Sequence, residues 1–124
     1  ALLFSKADST NISNSNVLII DSIGILSNIY KYGDLAYIGG GFRGGIHNIL
    51  EAIAFGLPVI FGPNYQKFNE APELINKKGA ISISNYTELT SAIDIFTTFD
   101  KTIAINFIQG NSGATKKILD SIIK

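Results

Sequence analysis

Four short apolar runs constrain this chain most: Val17-Leu18-Ile19-Ile20, Leu35-Ala36-Tyr37-Ile38, Val59-Ile60-Phe61 and Ala80-Ile81-Ser82-Ile83. Each is too short for a helix, and each gives way to glycine, proline or a polar turn former. Between them lie segments of helical period. Ile25 to Tyr32 carries Ile25, Leu26, Ile29 and Tyr32 on one face and stops at Gly33; His47 to Phe55 ends at Gly56; a third runs from about Lys67 to Asn76. Strands that alternate with helices imply right-handed crossovers and a parallel sheet covered on both faces. The chain is therefore expected to be α/β, with Val17–Ile20 buried on both sides of the sheet.

The flanks read more simply. Leu2 to Ser5 suggests a short strand, and Asp8 to Asn16 a polar loop. Glu88 to Thr97, with Thr87 as N-cap, and Lys101 to Gln109 read as helices, followed by a last helix from about Gly113 to Ile123. The 124 residues suit one domain, which buries roughly two-thirds of its unfolded surface.

Composition excludes several classes of function. Ten basic residues balance ten acidic ones, so no basic field exists to hold nucleic acid, and no polybasic cluster marks a membrane surface. There is no cysteine and a single histidine, His47, which argues against thiolate or histidine metal sites; neither metal nor cofactor is expected. No apolar run reaches the roughly 18 residues of a membrane span. The start, Ala1-Leu2-Leu3-Phe4-Ser5, has neither a methionine nor a charged leader and reads as a fragment boundary.

In open α/β sheets, ligands bind beyond the carboxyl ends of the strands. Two such ends stand out. Gly39-Gly40-Gly41-Phe42-Arg43-Gly44-Gly45-Ile46-His47-Asn48 places five glycines between a strand and a helix. Glycine allows close backbone approach, and a helix start attracts an anion, so phosphate is the natural guest. A ligand-free tight turn is the alternative, and the pattern is neither a Walker loop nor a clean GxGxxG. In the helix that follows, Asn48 and Glu51 share a face. The carboxylate suits two hydroxyls, as on a ribose, and the amide suits a base or sugar. An N-cap role for Asn48 and a dipole-complementing role for Glu51 compete with this, as a structural role does for His47. Asp21-Ser22-Ile23-Gly24-Ile25 follows the first run and offers a weaker backbone site, with Asp21 bracing the turn. Tyr30, Tyr32, Phe42 and Phe61 read as packing residues.

Leu50-Glu51-Ala52-Ile53-Ala54-Phe55-Gly56-Leu57-Pro58-Val59-Ile60 resembles the E-A-x-A-x-G-x-P-V-I stretch of GT-B glycosyltransferases, where the Glu binds the ribose of the donor nucleotide. Asp21-Ser22-Ile23-Gly24, Gly33 to Gly40, His47 to Glu51, Pro58 to Asn64 and Asn111-Ser112-Gly113-Ala114-Thr115 narrow the likeness. In this order they resemble the C-terminal domain of 3-deoxy-D-manno-octulosonic acid (Kdo) transferases. The likeness covers most of the chain from Val17 onward. It departs at Ile25, where the family often has an acid, and at Ile46, where glycine is common.

The resemblance implies a Rossmann-like three-layer parallel sheet, the C-terminal half of a GT-B fold. Residues 1–124 would form the CMP-Kdo donor-binding domain, truncated on its N-terminal side. Ile23, Gly24 and Ile25 would line the CMP site through backbone groups, and Asn48, Ile49, Leu50 and Glu51 would hold the rest of the nucleotide. Gly44, Gly45 and His47 form the candidate phosphate loop. The acceptor, a lipid A precursor, the catalytic base, a membrane anchor and a CMP-contacting Pro-Arg pair would belong to parts outside this sequence. It would then hold no catalytic residue, be inactive alone and make no membrane contact itself. The whole enzyme, an inverting transferase of lipopolysaccharide synthesis, would work at the cytoplasmic face of the bacterial inner membrane. A UDP-sugar transferase or epimerase of the same architecture, and a non-catalytic nucleotide-binding module, are the alternatives.

Overall fold

The computed structural model describes residues 1–110. The helix expected near 113–123 and the stretch Asn111–Thr115 lie outside the described residues. Among the described residues five short strands and five helices follow in the order β1 (Leu2–Leu3), β2 (Leu18–Ile19), α1 (Leu26–Tyr30), β3 (Ala36–Ile38), α2 (Leu50–Ala54), β4 (Val59–Phe61), α3 (Glu70–Asn76), β5 (Ala80–Ser82), α4 (Tyr86–Phe96) and α5 (Lys101–Gly110). Single 3₁₀ turns occupy Phe4–Lys6 and Ile12–Asn14.

The main sheet is parallel, in the order β3-β4-β5, with Ala36, Val59 and Ala80 in register. All three residues of β4 are buried completely, as a central strand covered on both faces requires. Alternation along the strands divides the core. Ile38, Val59, Phe61 and Ala80 pack with Ile49, Leu50 and Ile53 of the α2 region, Ala71 and Leu74 of α3, and Ala104 and Phe107 of α5. Ile60 and Ile83 pack on the other face with Ala92 and Phe96 of α4. The arrangement is thus three-layered, and its fold is the expected Rossmann-like α/β class.

Several local expectations change. Instead of joining the main sheet, β2 pairs in parallel with β1 alone, with Leu2 opposite Leu18. Val17, Leu18 and Ile19 are exposed rather than buried on both faces, since the pair stands outside the three-stranded sheet whose two faces the helices cover. Asp21 braces the pair differently from expectation, its two oxygens accepting the amide and hydroxyl of Ser5. The third helix starts at Glu70, with turns over Gln66 to Asn69 ahead of it. Asn85, not Thr87, caps α4: its side chain accepts the Glu88 amide at 2.9 Å, while the Glu88 carboxylate accepts the Ser84 amide at 2.8 Å. That reciprocal pair is a variant of the capping box, which favours a short amide side chain in extended backbone at the cap.

Helix ends show why the glycine punctuation is where it is. Gly56, at φ +83°, ends α2, with its own amide on Ile53 O and that of Leu57 on Ala52 O. The same left-handed closure ends α3, but there the residue is Lys78, at φ +66°, with the Gly79 amide on Leu74 O.

Candidate functional site

The helix expected from His47 starts only at Leu50. Asn48 is the cause: its Oδ1 accepts the Leu50 amide at 2.9 Å, which turns the chain into the helix and satisfies one of the donors that a helix start leaves open. Its Nδ2 group is the part of Asn48 left to donate to a ligand. Glu51 stands in the first turn of α2 and is partly buried. Ile49 and Leu50 bury their side chains in the core, so neither can offer more than backbone to a ligand.

His47, Asn48 and Glu51 meet Gly39 and Ile38 of the β3 end, Tyr37, and Leu26 and Tyr30 of α1 around one cleft of about 450 Å³. The cleft follows the unpaired edge of β3, where Tyr37 and Ile38 come from opposite faces of the sheet. One wall is amide, carboxylate and imidazole; the other is aliphatic and aromatic. Such a mixed lining suits a ligand with a flat, partly apolar body and polar edges.

Leu26, Tyr30 and Tyr37 have no counterpart among the candidates from sequence. The signal for two of them was present: Leu26 and Tyr30 are four apart and therefore share a helix face. Tyr30 also packs on Phe55, with ring centroids 6.1 Å apart. Burial pushes its hydroxyl above the ordinary tyrosine value, and the negative charge of Glu51 adds to the effect. Of the other aromatic residues read as packing, Phe61 is fully buried, whereas Phe42 and Tyr32 are exposed.

The structure distributes the remaining candidates. Ile23 is fully exposed and Gly24 has φ +89° with open space around it; with Ile25 they precede α1, and none of the three lines the cleft. The glycine loop is built largely for its own closure. Arg43 and Gly45 donate to Gly40 O, His47 to Gly39 O, and Ile46 to Asn64 O. A Cβ at Gly40 would lie 2.3 Å from Gly45 O, and one at Gly41 would lie 2.6 Å from Gly62 N. Only Gly44, within the span 43–47, keeps its amide free of any partner among the described residues, and it belongs to a separate small hollow. Among the described residues no group of three His, Asp or Glu side chains is placed to hold a metal, and no helix is long and apolar enough to cross a membrane.

A parallel three-layer sheet with a cleft at the carboxyl end of a strand, flanked by Asn48 just ahead of α2 and by Glu51 in its first turn, defines a Rossmann-like α/β domain with a candidate ligand site where that class carries one. No family model matches the chain. It is 37% identical over 92 residues to the 3-deoxy-D-manno-octulosonic acid transferase of Aquifex aeolicus, covering 73% of this chain and 26% of that protein. It is 29% identical over 120 residues to the enzyme of the same name from Rickettsia prowazekii, covering 90% and 25%. The C-terminal CMP-Kdo binding domain of WaaA from Acinetobacter baumannii has the same fold, with a TM-score of 0.56 at 23% identity over 87% of this chain and 51% of that one. The chain is a relative of the 3-deoxy-D-manno-octulosonic acid transferases, and it spans about a quarter of the length of these two curated relatives.

Proposed function

We propose that this chain is the donor-binding domain of a Kdo transferase, and that the cleft between α1, β3 and α2 holds the nucleotide of CMP-Kdo. The observation that carries this reading is the convergence of Asn48 and Glu51 on one cleft at the end of a parallel strand, in a chain related to Kdo transferases. Glu51 would accept both ribose hydroxyls, because a carboxylate offers paired acceptors and no donor. The Nδ2 group of Asn48 would donate to the nucleotide, and Leu26, Tyr30 and Tyr37 would pack against its flatter parts. Ile23 to Ile25 would reach the nucleotide only through backbone groups.

In this reading residues 1–124 form a donor domain that is inactive alone. Kdo passes to a lipid A precursor held by another domain, at the cytoplasmic face of the bacterial inner membrane, during lipopolysaccharide synthesis. A chimaera tests it: this chain replaces the matching segment of the Aquifex aeolicus relative, and transfer from CMP-Kdo is assayed. Retained transfer that is lost with Glu51→Gln supports the reading; a chimaera that folds, binds acceptor and transfers no Kdo contradicts it.

A further inference from the structure

Tyr30 and Glu51 line one cleft, and neither the phenol hydroxyl nor the carboxylate has a hydrogen-bond partner among the described residues. Their proximity is built by packing. Phe55, at the C-terminal end of α2, is four residues on from Glu51 and so shares its helix face. The Tyr30 ring packs on Phe55, with centroids 6.1 Å apart and planes at 32°. Burial raises the Tyr30 hydroxyl above its ordinary value and the charge of Glu51 raises it further, which puts the two groups within electrostatic reach. Tyr30 and Glu51 are both partly buried, whereas the other side chains with donors on this cleft, His47, Asn48 and Tyr37, are exposed. No lysine or arginine lines the cleft, and Glu51 forms no ion pair among the described residues. Its carboxylate therefore depends on a neutral donor for its orientation.

We propose that Tyr30 is a positioning residue for Glu51: its hydroxyl donates to the Glu51 carboxylate when a ribose occupies the cleft, and so sets the carboxylate for the two ribose hydroxyls. The proposal rests on the donor-binding reading above, in which Glu51 takes the ribose. The last torsion of a glutamate side chain is broad, so a neighbour must fix the carboxylate before it accepts two hydroxyls at once. A carboxylate has about four acceptor sites; the ribose takes two and leaves room for a phenol. Water can serve the open carboxylate, but a ribose that displaces this water leaves the phenol as the adjacent donor, in surroundings where a bond to an ionised acceptor is strong. The consequence is selectivity. The Tyr30 hydroxyl strengthens the binding of a ribonucleotide and does nothing for a nucleotide that lacks both ribose hydroxyls.

The test uses the full chain, its Tyr30→Phe and Glu51→Ala variants and the double variant, titrated by NMR with CMP and with the 2′,3′-dideoxy analogue of CMP. Tyr30→Phe keeps a ring to pack on Phe55, and thermal unfolding checks that it folds. Loss of one hydrogen bond to a charged acceptor corresponds to about a tenfold weaker complex. The expected result is a tenfold loss for CMP with Tyr30→Phe, unchanged binding of the dideoxy analogue, and no further loss when Tyr30→Phe is added to Glu51→Ala. The Cζ resonance of Tyr30 gives a second readout, shifting with saturating CMP in the wild type and not in Glu51→Ala. A loss of equal size for both nucleotides, or one that persists beside Glu51→Ala, places the hydroxyl on the ligand itself and overturns the proposal. Equal affinities of wild type and Tyr30→Phe overturn it as well. A wild type that binds both nucleotides equally removes the ribose from Glu51 and overturns the proposal while leaving nucleotide binding intact. A wild type that binds neither overturns the donor reading and the proposal with it.

Discussion

Gly41 and Gly62 pack backbone against backbone. A Cβ on Gly41 would lie 2.6 Å from the nitrogen of Gly62, and one on Gly62 would lie 2.7 Å from the carbonyl carbon of Gly41. The loops after β3 and β4 are thereby locked together. Gly41→Ala or Gly62→Ala must push backbone aside, and each is expected to cost about 2 kcal/mol or more. Gly44→Ala meets no neighbour and carries only the strain of positive φ, about 1–2 kcal/mol. Urea unfolding of the three variants checks the order, with Gly44→Ala the mildest.

Asn48 performs a structural task that can be separated from binding. Asn48→Ala removes the acceptor for the Leu50 amide and is expected to cost about 1 kcal/mol. Asn48→Asp keeps an acceptor there but loses the Nδ2 donor. Its stability should stay near that of the wild type while nucleotide affinity falls. Unfolding and titration of the same two variants check this, and equal affinity in Asn48→Asp and the wild type would remove Asn48 from the ligand contacts.

Tyr30 should titrate above the ordinary tyrosine value. Its hydroxyl is raised by burial and by the charge of Glu51, so the folded state keeps its proton after the unfolded chain has lost it. The contribution of Tyr30 to stability is therefore fully present below the ordinary tyrosine value of 10.0 and is lost as pH rises through the higher folded value. Tyr30→Phe should therefore unfold less steeply in alkali. Ultraviolet titration should show a late-ionising phenol that is absent in Tyr30→Phe and shifted back towards the ordinary value in Glu51→Gln.

Lys78 occupies the left-handed position at the end of α3 that glycine fills at the end of α2. Lys78→Gly relieves that conformation and should raise stability by about 0.5–1 kcal/mol, whereas Gly56→Ala should lower it by about 1 kcal/mol or more. The nearest atom to a Cβ at Gly56 is Lys101 Cδ at 3.6 Å, an ordinary contact, so the loss there would come from backbone strain. Thermal unfolding of the pair checks both signs.

The periodicity of the chain made the alternation of strands and helices legible, and Val59–Phe61 was placed to the residue. Its three apolar side chains need cover on two faces, and a parallel sheet supplies it. Val17–Ile20 carries the same pattern and was misplaced, because an apolar run states what a strand needs and not which strand lies beside it. Thr87 lost the capping position to Asn85 since the helix began a turn earlier than its apolar stripe. Glu51 and Asn48 were visible as a pair by spacing, but Tyr30 and Tyr37 were not. Tyr30 read as a packing residue and Tyr37 only as part of a strand, and their meeting with Glu51 depends on how α1 folds back beside β3.

Nucleotide binding in this cleft is tested most directly by titrating the isotope-labelled chain with CMP, UDP and AMP. Saturable shifts with CMP, stronger than with the other two, are expected, centred on Gly39, His47, Asn48 and Glu51 with Leu26, Tyr30 and Tyr37. Preference for UDP would contradict the assignment of the donor, and CMP shifts confined to the distant hollow of Asp34, Phe96 and Lys101 would contradict the site.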